Sequence, residues 1–337
     1  MIENPKILIV RPDRIGDVVL STPLPREIKR AFPGSFVAVL VKEYTRDIYL
    51  NNPFVDELII YNETESAGGL CKKLRKFRFD YSLTLLPTER LNWILFFSGI
   101  KKRIGVGYKF YQFLTNTKSV FRNKYIPLRH ESDYCLDEIR KLGIEPQSMD
   151  SEIFLSEEEK KEAEGWKKSW CLNGEMLIGI NSTSGNSSPN MPASEYAGII
   201  RRLKNLPDVK IAVMDLNVPE SLQNLEGIIY PNKGNSLRES IINFSVLDLL
   251  VSSSTGPMHI AAGLKVPTLS LFCPLPACSP QLWSPKGNKS EIILPDENYC
   301  KTACPGDPKK CRFEGKGGID SEKVLKRVKE IIQPETK

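Results

Sequence analysis

Two aspartates stand four residues apart in Arg11-Pro-Asp-Arg-Ile-Gly-Asp17, directly after an apolar run. A carboxylate there can act as a general base or can cap a following helix, and the spacing of Asp13 and Asp17 leaves both open. Gly16 lets the backbone turn sharply or come close to a ligand. The loop lacks Gly-x-Gly-x-x-Gly, which argues against a nicotinamide cofactor. A second constellation, Ser252-Ser-Ser-Thr-Gly-Pro-Met-His259, carries the small hydroxyls, glycine and proline suited to a helix start. The free N–H groups and positive dipole end of such a start suit an anion, most naturally a phosphate. Ser254, Thr255, Gly256, Met258 and His259 are its candidates, with a capped helix over a buried histidine as the alternative. A third segment, Asn181-Ser-Thr-Ser-Gly-Asn-Ser-Ser-Pro-Asn190, offers Ser184, Gly185, Ser187, Ser188 and Asn190 to a nucleotide or sugar, or forms a flexible surface loop.

Between Lys101 and Arg129 eight basic residues (Lys101, Lys102, Arg103, Lys109, Lys118, Arg122, Lys124, Arg129) occur with no acidic one, interleaved with Tyr108, Phe110, Tyr111, Phe113, Phe121 and Tyr125. Cations pair with phosphate or carboxylate, and aromatics enter lipid interfaces or stack on flat ligands, so an anionic partner or a solvated face over core aromatics are the two readings. No nucleic-acid-binding motif accompanies the stretch, and nucleic acid is not expected as a partner. Cys300, Cys304 and Cys311 lie in a segment without histidine, whereas tetrahedral zinc wants four ligands. The expectation is free or redox-variable thiols, with no metal and no other cofactor.

Alternating elements must position these residues. Lys6–Arg11, Phe36–Val41, Leu58–Tyr61 and Tyr81–Leu86 read as strands, and Pro23–Phe32, Thr45–Asn51, Leu70–Phe77 and Leu91–Ser98 as helices. Short buried-type strands spaced by helices predict βαβ units and a mainly parallel sheet. A charged stretch opening with the capping box Ser156/Glu159 interrupts the pattern as an exposed helix, and the domain boundary is placed there. The alternation then resumes, with strands at Met176–Ile180, Val209–Met214, Leu249–Val251 and Thr268–Phe272 and helices at Ala193–Leu203, Ser236–Phe244 and Pro257–Leu264. The domains expected are 1–170 and 171–337, with the amphipathic last helix, 321–332, able to pack on either.

The 337 residues are enough for two cores of about 150 residues each. With 41% hydrophobic and 26% charged residues the chain reads as globular, and no apolar run approaches a bilayer span. The N-terminus lacks the apolar core of a signal peptide, so a cytoplasmic address is expected. The net charge of +6 is uneven: residues 1–150 hold 24 Lys/Arg against 18 Asp/Glu, and residues 151–337 hold 23 of each. That asymmetry points an anionic partner at the first domain.

Three segments together resemble the ADP-heptose:lipopolysaccharide heptosyltransferase family (glycosyltransferase family 9). They are Lys6 to Pro23 with its Ile-Gly-Asp, Asn52-Pro-Phe-Val-Asp-Glu57, and Thr255-Gly-Pro-Met-His-Ile-Ala-Ala262 followed by Val266 to Phe272. The resemblance implies an α/β GT-B architecture, two Rossmann-like domains with parallel sheets facing a central cleft, acceptor on the first and nucleotide sugar on the second. It implies an inverting transfer of heptose or a related sugar from a nucleotide diphosphate donor, ADP-heptose or similar, to an anionic glycolipid of lipopolysaccharide type at the inner-membrane surface. Asp17 would then be the general base, with the diphosphate on Thr255, Gly256, Met258 and His259. Lys101, Lys102, Arg103, Lys109, Arg122 and Lys124 would face acceptor or membrane. The chain departs from the family pattern at Ser254, where an acidic residue usually precedes Thr-Gly, and at Pro189-Asn190 before Met191-Pro192, where relatives carry a lysine before Trp-Pro. Those departures keep open a catalytically weak or silent nucleotide-sugar or glycan-binding protein. A sugar-nucleotide epimerase or hydrolase on the same architecture is the other alternative.

Overall fold

The computed structural model describes residues 2–123 and 126–332, and the chain divides into two compact units after Phe154. In the first unit β1 (Lys6–Val10), β2 (Phe36–Val41), β3 (Glu57–Ile60), β4 (Tyr81–Thr84), β5 (Lys102–Val106) and β6 (Lys118–Val120) form one parallel sheet in the order β3-β2-β1-β4-β5-β6. Ile7 to Val10 and Val37 to Val41 are fully buried, as expected of strands covered on both faces. The covering helices are α1 (Ile15–Val19), α2 (Pro23–Ala31), α3 (Ala67–Phe77), α4 (Glu89–Phe97), α5 (Phe110–Leu114) and α6 (Glu131–Arg140). A 3₁₀ turn, Glu43–Ile48, stands where a helix over 45–51 was expected. The strand order reverses direction between β1 and β4, and in doubly wound sheets ligands bind beyond the carboxyl ends of the strands at such a reversal.

The second unit is built on β7 (Met176–Asn181), β8 (Val209–Val213), β9 (Leu249–Ser253), β10 (Thr268–Leu271) and β11 (Ser290–Ile293), all parallel, in the order β11-β10-β9-β7-β8. Its reversal lies between β7 and β9. Its helices are α7 (Glu157–Trp170), α8 (Ala193–Leu203), α9 (Leu237–Ser245), α10 (Gly256–Gly263), the short α11 (Pro280–Trp283) and α12 (Tyr299–Thr302), and α13 (Ser321–Ile332).

The division after Phe154 differs from the expected boundary after residue 170, because α7 is fastened to the second unit. Ser156 and Glu159 close the predicted capping box, with Ser156 N donating to Glu159 Oε2 at 2.7 Å. The same Glu159 pairs with Arg238 of α9 at 2.5 Å, and Lys167 reaches Asp248, before β9, at 2.6 Å. The last helix packs on α8 of its own unit. Ser321 N donates to Glu195 Oε2 at 2.8 Å, Glu322 pairs with Arg202, and Val324 and Val328 enter the core containing Ile199 and Ile200.

Candidate active site

In the first unit the chain leaves β1 at Val10 and turns into α1, which places Arg11, Asp13 and Asp17 at the β1/β4 reversal. Neither aspartate caps α1 through its side chain, since the N-cap position is Arg14 and makes no side-chain cap bond. Asp13 Oδ1 instead accepts from Arg14 N at 2.9 Å, while the Tyr44 hydroxyl donates to the Asp13 carbonyl at 2.9 Å. Gly16 is a helical residue of α1 and makes no sharp turn.

Asp17 faces Arg11, which is 2% exposed and occupies the centre of the arrangement. Arg11 Nη2 lies 2.9 Å from Asp17 Oδ1 and 3.2 Å from Glu131 Oε1, its Nη1 donates to the Leu85 carbonyl beyond β4, and its Nε lies 3.8 Å from Asp13 Oδ2. Glu131, first residue of α6 and 1% exposed, is shared with Arg122, whose Nη1 is 3.0 Å away. The charges form a chain Asp17–Arg11–Glu131–Arg122. Burial pushes the Asp17 carboxyl up to about 6; the Arg11 guanidinium pulls it down, and Asp13 and Glu131 push it up again. A carboxylate ionised at neutral pH yet far more basic than an ordinary aspartate is suited to accept a proton from a hydroxyl. With 22% of its side chain exposed, Asp17 remains reachable from solvent. Farther along α6, burial raises Cys135 and raises Glu138 strongly.

In the second unit the loops after β7 and β9 lie at the β7/β9 reversal and touch each other, with Ser187 Oγ 3.4 Å from Thr255 Oγ1. Gly185 and Asn186 both have positive φ, which folds the first loop back so that Ser184 Oγ donates to the Ser188 carbonyl and Ser187 Oγ to the Ser184 carbonyl. Its base is held by Asp215, which follows β8, is 1% exposed, and accepts from the backbone N–H and hydroxyl of both Ser182 and Thr183 at 2.6–3.1 Å. Sequence reasoning missed Asp215 because a lone aspartate 33 residues downstream carries no local signal. Asn190 is buried and committed at both ends: Nδ2 donates to the Ser182 carbonyl and Oδ1 accepts from Tyr196 OH, each at 2.6 Å. Thr255 is the N-cap residue of α10 and makes no side-chain cap bond; Gly256, Pro257 and Met258 form its first turn, with His259 buried behind them. Pro257 contributes no N–H, so Gly256 and Met258 supply the first-turn amides. Ser188 Oγ is buried without a hydrogen-bond partner among the described residues. Ser254 extends the strand, its N–H donating to the Leu271 carbonyl.

The basic stretch divides. Lys101, Lys102 and Lys109 are exposed, Lys102 lying 3.0 Å from the Tyr81 hydroxyl. Arg103 and Arg122, expected with them on an acceptor or membrane face, are instead engaged inside the unit. Arg103 is 6% exposed and donates to the Ile100 and Thr115 carbonyls, where a surface lysine could not substitute, and Arg122 is held by Glu131. Lys124 and Tyr125 lie outside the described residues. Cys300, Cys304 and Cys311 are free thiols, as are Cys273 and Cys278, and Cys311 Sγ lies 3.7 Å from the Tyr299 hydroxyl. Among the described residues no group of three or more His, Cys, Asp or Glu side chains is arranged to hold a metal ion.

The profile of glycosyltransferase family 9 (heptosyltransferase) matches residues 68–312. Lipopolysaccharide heptosyltransferase 2 of Salmonella typhimurium is 23% identical over 357 aligned positions, covering 98% of this chain and 99% of the relative. Among solved structures, a glycosyl transferase family 9 protein from Veillonella parvula superposes with a TM-score of 0.82 at 22% identity, covering 100% of this chain and 99% of its own. The E. coli ADP-heptose lps heptosyltransferase II does so with 0.74 at 19% identity, covering 98% and 100%. At these identities the structural likeness speaks for the fold, two parallel-sheet α/β units of GT-B type.

Proposed function

The chain belongs to glycosyltransferase family 9, the heptosyltransferase family, and from that premise we propose that it transfers heptose, or a related sugar, from a nucleotide diphosphate donor to an anionic lipopolysaccharide-type acceptor with inversion. The observation that carries this reading is Asp17: a partly exposed carboxylate at a sheet reversal, pushed up to about 6 and held by an arginine that is itself buried. In an inverting transfer one carboxylate removes the acceptor proton while the sugar passes through an oxocarbenium-like state and the diphosphate departs on the opposite face. The first turn of α10 offers amide N–H groups and the positive end of a helix dipole to that diphosphate, and the Thr255 hydroxyl lies at the same turn as a neutral donor, with Ser187 Oγ 3.4 Å from it. Ser184, Gly185, Asn190, Ser254 and His259 shape the same edge.

The donor is taken to be ADP-heptose or a close analogue, in line with the solved E. coli ADP-heptose lps heptosyltransferase II. The acceptor would meet the first unit, where Lys101, Lys102 and Lys109 are exposed, and the protein would work as a peripheral protein on the cytoplasmic face of the inner membrane. Among the described residues no helix is long and apolar enough to cross a membrane. The test is transfer from ADP-heptose to a heptose-deficient lipopolysaccharide core, followed by ADP release and mass of the acceptor. Release that requires acceptor supports transfer. ADP binding without release, even with several nucleotide sugars supplied, would replace it with a binding protein, the reading kept open by the engagement of Asn190 at a position where the family resemblance implies a lysine.

A further inference from the structure

The helix α5 has its amphipathy inverted. Its inward side is polar: Gln112 and Thr115 are buried, Gln112 Nε2 donates to the Val106 carbonyl at 3.1 Å, and Thr115 Oγ1 accepts from Asn92 Nδ2 at 2.7 Å. Its outward side is aromatic, with Phe110 76% and Phe113 80% exposed, three residues apart and therefore on one face. Tyr108 and Phe121 extend the same surface, 70% and 64% exposed, their rings 5.9 Å apart. A soluble protein ordinarily turns such rings inward, and an exposed cluster of them marks an interaction surface. Here buried hydrogen bonds hold the helix with its rings facing out.

We propose that the outward face of α5, with Tyr108 and Phe121, is a docking surface for an anionic lipid bilayer, its rings entering the interfacial region while the neighbouring lysines meet the headgroups. Charge complementarity selects the occupant. Lys109, between Tyr108 and Phe110, is exposed, as are Lys101 and Lys118 on the same stretch of chain, and no acidic residue occurs from Lys101 to Arg129. Aromatic rings on a stretch of chain that carries lysines and no acidic residue match a negatively charged interface, where apolar insertion and headgroup attraction add. The surface is continuous with the reacting edge: Phe121 precedes Arg122, which holds Glu131, which holds Arg11 and through it Asp17. A lipid-anchored acceptor would thus present its glycan to the base from the surface its lipid occupies. This rests on the glycolipid-acceptor reading above, and it moves the membrane contact from Arg103 and Arg122 to the rings.

The test uses the full chain with vesicles of phosphatidylcholine containing roughly a third phosphatidylglycerol, sedimented without any substrate. Phe110→Ser/Phe113→Ser should bind at least about tenfold more weakly than the wild-type protein, with an unchanged melting temperature because both rings are solvent-exposed. Lys101→Gln/Lys109→Gln/Lys118→Gln should weaken binding too, and 0.5 M NaCl should mimic the lysine variant. Transfer to a deacylated, water-soluble acceptor should stay within about twofold in the ring variant. Undiminished vesicle binding by the ring variant would overturn the proposal. So would a ring variant that loses self-association instead, which assigns the face to a second copy, or an equal loss with soluble acceptor, which assigns it to the glycan. Vesicle binding is read without donor, so an inactive protein that still needs its rings to bind would refute the transferase reading and leave the surface standing.

Discussion

Asp17 is governed by opposing influences, burial the largest, and its behaviour follows from their balance. Burial and the nearby carboxylates favour the protonated form, whereas Arg11 at 2.9 Å favours the ionised one. Because its pKa in the native state, about 6, exceeds the ordinary 3.8, the folded protein holds more protons than the unfolded chain between those values. Ionising Asp17 therefore costs stability as pH rises through that window, and the cost persists above it. Asp17→Asn should lower transfer by about 10²–10⁴-fold, leave ADP affinity within a few fold, and melt above the wild-type protein at pH 7.5. The difference should disappear near pH 3.5 in parallel thermal melts. In the wild-type enzyme kcat/KM should rise with pH through about 6. Glu131→Gln removes a charge that raises Asp17 and releases Arg11 to pair with it more fully, two effects of the same sign. Its acid limb should lie at lower pH than that of the wild-type enzyme. A limb that moves upward would show that Glu131 acts on Asp17 by another route.

Elements with strong local patterns were legible in advance. The strand at 36–41 and the helices at 193–203 and 321–332 appear with the expected bounds, because a continuous apolar run and a 3.6-residue stripe are local signals. Strand β5 and the edge strand β6 were not anticipated: they are short and open with Lys102, Arg103 and Lys118, residues that read as loop. The helix α6 was missed for a similar reason, since its acidic first turn resembles a surface helix although Glu131 and Glu138 are buried. Glu131 depends on Arg11, 120 residues away, and no spacing rule announces such a pair. The polar segment 181–190 was legible as a candidate, but not the task of Asn190 within it, which needs the positions of Ser182 and Tyr196. Asn190→Lys should accordingly break two buried hydrogen bonds and bury a charge. The expected outcome is a loss of roughly 1–3 kcal/mol in denaturant unfolding, with ADP affinity unchanged or weaker in calorimetry. Tighter ADP binding at undiminished stability would mean that the loop can turn residue 190 outward.

At the scale of the whole chain, each unit has its own core and sheet, and each sheet presents a different chemistry at its reversal. The first offers a carboxylate beside a basic surface, and the second offers hydroxyls and a helix N-terminus. The charge follows the same division, with all the excess of Lys and Arg over Asp and Glu lying in residues 1–150. This separation makes the location of the donor testable without chemistry, by amide hydrogen exchange of the full chain with and without ADP. A ligand at about 100 times its dissociation constant stabilises the state that binds it by about 2.7 kcal/mol, which slows exchange about a hundredfold for amides that open only with that unit. Local amides in contact with the ligand should be protected as well. Slowing is expected at 182–188 and at Gly256 and Met258, Pro257 having no amide to report, and in the strands β7 and β9 that carry those loops. The turn from Arg11 to Asp17 should exchange at its former rate, because the carboxylates of Asp13, Asp17 and Glu131 repel a diphosphate. Protection confined to residues 11–19 would place the nucleotide on the first unit and reverse the assignment of donor and acceptor.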